Sequence, residues 1–108
     1  MSHVQKHLDI CSCHVTREDM TKLEAVSDQR AGYRYVINCV AYENGVIIFV
    51  PFVEEPEQDQ EAFLAEVLKA GYSEALVKIF RMAYREQADM IRLDCDGMQV
   101  AGLETFNW

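Results

Sequence analysis

Apolar positions along this chain recur with two different periods. HLDICSCHV (7–15) is a short apolar run of the kind a buried strand shows. Thr16-Arg17-Glu18-Asp19 follows. The Thr-x-x-Asp pattern is a capping box with Asp in the place usually held by Glu. Met20, Leu23 and then Val26 or Ser27 give a helical stripe, so a helix is predicted over about 17–28, with a loop at Gly32.

YRYVINCVAYENGVIIFVPFV (33–53) carries the strongest local signal. Asn44-Gly45 between two β-rich runs predicts a two-residue turn with positive φ at both positions. That register sets Glu43 opposite Val46, Tyr42 opposite Ile47, Val40 opposite Phe49 and Cys39 opposite Val50. One face then holds Val36, Val40, Tyr42, Ile47 and Phe49. The other holds Tyr35, Ile37, Cys39, Ala41, Ile48 and Val50. Both are apolar, and a sheet half open to water would alternate instead. Pro51 lacks an N–H, so the second strand should end near Val50.

VEEPEQDQEA (53–62) leads into a helix with the stripe Phe63, Leu64, Val67 and Leu68. Gly71 suits the position just past its end, and Ser73 caps a second helix with the stripe Leu76, Val77, Ile79, Phe80, Ala83 and Tyr84. MIRLDC (90–95) is the last strand, Gly97 turns the chain, and Val100, Leu103, Phe106 and Trp108 punctuate the tail. The order is β-α-β-β-α(α)-β, that of a ferredoxin-like α+β domain spanning residues 1–108. Helices should cover one sheet face, and the C-terminal tail or a second subunit the other. Leaving those side chains wet would forfeit roughly 1.5–3 kcal/mol each.

Charge narrows the function classes. The net charge is −8, and residues 36–74 hold eight acids against one base. A surface so short of Lys and Arg argues against direct nucleic-acid binding. It admits a basic partner, or mimicry of DNA. No apolar run approaches the ~20 residues of a membrane span, and the polar start MSHVQKHLD does not read as a signal peptide. Cys11, Cys13, Cys39 and Cys95 all sit in strand-like segments. They read as the reduced, mostly buried thiols of a soluble cytoplasmic protein.

Candidate chemistry is sparse. A strand ending in Asp94-x-Asp96-Gly97 resembles the motif of haloacid dehalogenase-like phosphatases, but those enzymes place it early, with most of the domain following. As a calcium loop it fails at its sixth position, Gln99, and its twelfth, Thr105. Cys11-x-Cys13-His14, with His3 and His7 upstream, lacks zinc spacing. On a strand the two thiols would point away from His14. No metal and no cofactor is expected. His14 and Thr16 lie where a strand delivers the chain to a helix N-terminus, a place that can hold an anion.

Cys13-His14-Val15-Thr16 beside a helix, Gly32 before an aromatic strand, and the ending Leu93-Asp94-x-Asp96-Gly97…Gly102-Leu103-x-Thr105-Phe106-x-Trp108 together resemble a bacterial family. It is catalogued as a domain of unknown function (DUF5983-like) and is associated with plasmids, phages and integrating elements. The family pattern has Pro before the Thr and Asp before the final Trp. Here those positions are Glu104 and Asn107, so a carboxylate role at 107 does not carry over. The resemblance implies no activity. It implies a small accessory protein of a mobile element.

The first expectation is therefore a non-enzymatic protein that binds an unknown protein partner. Its partner surface would be the acidic segment Glu54, Glu55, Glu57, Asp59 and Glu61, or a sheet face shared in a homodimer. A pocket beside the tail would draw on His14, Thr16, Asp94, Asp96 and Trp108. One alternative is an acidic DNA mimic that inhibits a host defence or DNA-binding protein. Another is a small metal-dependent hydrolase using His7 or His14 with Asp94 and Asp96. It could gather His14, Asp94 and Asp96 only if the first and last strands ran parallel.

Overall fold

The computed structural model describes residues 6–27 and 36–108. Strand β1 spans His7–Cys11 and passes through a 3₁₀ turn, Ser12–His14, into helix α1, Arg17–Ser27. Strands β2 (Asn38–Tyr42) and β3 (Gly45–Phe49) form the hairpin. Helices α2 (Glu57–Lys69) and α3 (Glu74–Glu86) follow, then strand β4, Met90–Asp94. The loop expected at Gly32, the residues Tyr33–Tyr35 and His3 lie outside the described residues.

The α+β class and the element order are those of a ferredoxin-like arrangement, as the sequence predicts. The sheet order is β1-β4-β3-β2, with β1 parallel to β4 and the other neighbours antiparallel. In a ferredoxin-like sheet the first strand would instead run antiparallel to the last. The helix count explains the difference. A single helix after β3 would carry the chain back for a parallel strand, whereas two helices return it to the end it left. β4 therefore enters antiparallel to β3 and parallel to β1. The carboxyl ends of β1 and β4 meet side by side, Cys11 opposite Asp94.

Helix starts follow their sequence signals. Thr16 N–H donates to Asp19 Oδ2 (3.2 Å) and Asp19 N–H donates to Thr16 Oγ1 (3.0 Å), closing the capping box. Asp19 reaches further. Its Oδ1 accepts the Ser73 N–H (2.9 Å) and its Oδ2 accepts the Ser73 hydroxyl. Ser73 Oγ in turn caps α3 through Leu76 N–H (3.3 Å). One buried carboxylate thus ties the starts of two helices together. Gly71, at φ 97°, takes the left-handed position just beyond α2.

All three helices pack on one face of the sheet. Leu8, Ile10, Val46, Ile48, Ile91 and Leu93 meet Met20, Leu23, Phe63, Leu64, Val67, Leu76, Ile79 and Phe80 there in one apolar cluster. Phe63 and Phe80 meet edge to face at 5.2 Å between ring centroids.

Three expectations are corrected. The first strand stops at Cys11 and does not run to Val15. Cys11 N–H is taken by Met98 O (2.8 Å) and Cys13 N–H by Cys11 Sγ (3.2 Å), so Cys11 and Cys13 do not share a strand face. Gly97 permits this crossing, because a Cβ there would sit 2.5 Å from the Ile10 carbonyl.

The hairpin register is the second. Tyr42 pairs with Gly45 and Val40 with Ile47, so the loop is Glu43-Asn44 and not Asn44-Gly45. Among the described glycines only Gly71 and Gly102 have positive φ. Gly45 answers to a different demand: a Cβ there would lie 1.8 Å from the Leu93 carbonyl of β4. Because each partner moved by an even step, Val40, Tyr42, Ile47 and Phe49 still share a face, as predicted.

The third concerns the tail. It does not lie over the second sheet face. It runs past the end of β1, where Phe106 N–H donates to Cys13 O (2.7 Å) and Trp108 Nε1–H to Val15 O (3.0 Å). Val100 and Leu103 pack against the core from that side. Val40 and Phe49 consequently stay 51% and 45% exposed. The hydrogen-bonding groups of the Ser12–Val15 turn need partners near water, and the tail supplies them there.

Candidate functional site

The open sheet face has two halves. One is polar and lies at the carboxyl ends of β1 and β4. Side chains two apart on a strand share a face, so Arg92 and Asp94 of β4 stand beside Asp9 of β1 and Tyr42 of β2. The Tyr42 hydroxyl donates to Asp94 Oδ2 (2.5 Å). Arg92 Nε donates to the Tyr42 oxygen (3.0 Å) and another guanidinium nitrogen to Asp94 Oδ2 (3.3 Å). The Arg92 guanidinium also lies over the Tyr42 ring at 5.5 Å. Asp94 Oδ1 accepts the Asp96 N–H (2.8 Å). Asp9 sits 3.9 Å from Arg92.

These bonds set the charges. The Tyr42 hydroxyl, then the Asp96 N–H and Arg92, hold the Asp94 carboxyl below the usual carboxylate range. Burial, and then the Asp94 carboxylate, push the Tyr42 phenol up. Asp94 accepts three hydrogen bonds and is held toward its charged form, which suits it to fixing Tyr42 and Arg92 better than to taking a proton. An open cleft of about 440 Å³ lies over this group, lined by Asp9, Asn44, Arg92, Asp94, Asp96, Gly97 and Met98.

Asp94, Cys95 and Asp96 have possible ligand atoms within 4.8 Å of one another. The set is mixed. Burial and the two neighbouring carboxylates raise the Cys95 thiol, which disfavours the thiolate a soft metal wants. A hard cation seeks a shell of oxygens, and Asp94 is already committed to Tyr42 and Arg92.

Of the residues expected to form a pocket beside the tail, Asp94 and Asp96 line this cleft. His14, Thr16 and Trp108 do not. The parallel pairing of β1 and β4 does bring His14 to the same end of the sheet as Asp94. Its ring, however, is buried and occupied at both nitrogens. Nδ1 faces Glu104 O at 2.7 Å, and Nε2 accepts the Val100 N–H at 2.9 Å. That places the proton on Nδ1 and makes His14 the clamp of the tail. Thr16 caps α1, and Trp108 is hydrogen bonded to Val15 O while half exposed. His7 is exposed on β1 opposite Met90.

The acidic segment is divided. Glu54 and Glu55 line a cleft of about 330 Å³ with Val50, Phe52, Val53 and Asp89, at the end of the sheet where β3 finishes. Glu57 and Glu61 face Arg81 and Arg85. Glu61 is paired to Arg81 in a two-pronged contact, one arm at 3.0 Å, and that guanidinium lowers its carboxyl. Asp59 lies beside Ala62, Phe63 and Glu66.

The second half of the open face is apolar. Ile47 and Met90, half-buried, lie next to the exposed Val40 and Phe49 across β2, β3 and β4. Sequence reasoning placed Val40, Ile47 and Phe49 on one face but did not single out Tyr42, Arg92, Asp9 or Asn44 as site residues. The spacing of Arg92 and Asp94 was the available signal. Their meeting with Tyr42 and Asp9 depends on a strand order that no local pattern encodes.

No curated protein and no solved structure matches the chain. The family model described as the C-terminal domain of a family of unknown function, DUF5983, matches residues 7–108. The chain therefore belongs to the DUF5983 family.

Proposed function

We propose that this chain is a small accessory protein, of mobile-element origin, that acts by binding another protein through the open face of its sheet. The observation that carries the reading is the exposure of Val40 and Phe49 on a face they share with Ile47, Met90 and Tyr42, with Asn38 beside Phe49. Apolar and aromatic side chains ringed by polar groups are what the centre of a protein interface uses. Arg92, stacked on Tyr42 and held by Asp94, gives the patch a rigid polar border. DNA mimicry is less favoured, since it needs uncompensated carboxylates on one surface. Here Glu61 is paired with Arg81 and the others line separate clefts.

The test is affinity capture from the source cells with wild-type bait and with the double variant V40S/F49S, read by quantitative mass spectrometry. Partners held by the wild type should be lost from the variant while its melting temperature stays unchanged. Equal capture by both would overturn the reading.

A metal-dependent hydrolase is less favoured: the parallel β1 and β4 bring Asp9, Asp94 and Asp96 to one cleft, but Asp94 is committed to Tyr42 and Arg92. Elemental analysis of protein dialysed against zinc, magnesium or manganese tests it, with stoichiometric retention as the supporting result.

A further inference from the structure

Resting on the reading that the open face docks a protein, we infer that its occupant is a basic amphipathic helix of another protein, apolar along one stripe and lined with Lys or Arg on its flanks.

The sheet edges direct the partner to the face. A partner strand adding to β2 would need its outward N–H groups, but Ala41 N–H is held by Ser27 Oγ at 2.7 Å. The outer side of β1 is crossed by the tail, with Cys11 N–H on Met98 O. With one outward N–H on each edge already taken, the face offers a partner more than the edges do.

The size of the face also selects. Each strand has five residues. At ~3.3 Å rise and ~4.8 Å spacing, the four-stranded face measures roughly 17 by 19 Å. That is roughly 300 Å² per copy, well short of the ~800 Å² per partner of a stable interface between folded proteins. A helix of about thirteen residues laid across the strands spans the same ~19 Å and needs only one apolar stripe.

Charge completes the assignment. Arg92 is the sole Lys or Arg among the four strands. It is already matched by Asp94 at 3.3 Å and Asp9 at 3.9 Å. The apolar patch is bordered toward one end of the strands by the Tyr42–Arg92–Asp94 group, with Asp9 and Asp96 in the same cleft, and toward the other by Glu54 and Glu55. Lys6, near that second end, is engaged with Glu86. His7 lies on β1 at the rim. Val40, Ile47, Phe49 and Met90 thus form an apolar strip across β2, β3 and β4 with carboxylates on both of its sides, which a helix with cationic flanks complements.

The probes are two synthetic amphipathic peptides of about four helical turns with the same leucine stripe, one flanked by Lys and one by Glu. Binding is measured by calorimetry and by amide shift mapping on the full chain. The Lys peptide should shift β2, β3 and β4 amides and bind at least about tenfold more tightly than the Glu peptide. V40S/F49S should weaken it by about tenfold, and added salt should weaken it further. No binding of the Lys peptide, or shifts away from the open face, would overturn the inference. If both peptides bind equally through Phe49, the basic partner falls while protein docking on this face stands. Sedimentation showing a dimer that V40S/F49S dissociates makes a second copy the occupant, with the same division. If the double variant changes neither peptide binding nor partner capture, both readings fall.

Discussion

Asp94 accepts bonds from the Tyr42 hydroxyl, the Asp96 N–H and the Arg92 guanidinium, and its carboxyl is depressed as a result. A carboxyl depressed in the folded state binds fewer protons there than in the unfolded chain, so stability rises with pH through its titration. The contribution is complete above the unfolded value, about 4, and is lost as pH falls through the folded one. Asp94→Asn should therefore be less stable than wild type at neutral pH. The gap should close on acidification below about pH 4. Urea melts of both proteins across that range check this, and a gap that stays constant with pH would show the Asp94 charge to be immaterial.

The helices hang together through a joint that belongs to neither alone. Asp19 completes the cap of α1 and also accepts the backbone and side-chain donors of Ser73 at the start of α3. The residue is 1% exposed, so its loss leaves donors with no water to replace it. Asp19→Ala should cost about 2–4 kcal/mol, beyond the ~1 kcal/mol of an isolated cap. Chemical denaturation measures it. An effect no larger than that of Thr16→Ala would place Asp19 in a simple capping role.

Across the whole molecule, the two sides of the sheet have different fates. Helices seal one, and the tail closes the end of β1 without reaching the other. His14 is the fastener, holding Glu104 O and Val100 N–H with one ring. His14→Ala should speed hydrogen exchange at Val100 and Phe106 by at least about tenfold, while exchange in β3 and β4 is little changed. If these amides exchange no faster, Val100 and Leu103 hold the tail by packing alone.

Local signals written in single side chains were legible from the sequence. Thr16 and Asp19 name a helix start, Ser73 another and Gly71 a stop, because capping and left-handed backbone depend on neighbours within a few residues. The two-residue period of a strand assigned faces in β2 and β3 that hold even though the register shifted by an even step. Three matters required the folded chain. Gly45 reads as a turn glycine until the Leu93 carbonyl of β4 is seen against it. His14 reads as a site residue until the tail takes both its nitrogens. The apolar tail reads as a cover for the sheet until its hydrogen bonds fix it to residues 11–15. Sequence determined which residues are apolar and where helices α1 and α3 begin. Tertiary structure alone decided which apolar face stays open, since burial is settled by contacts between segments distant along the chain.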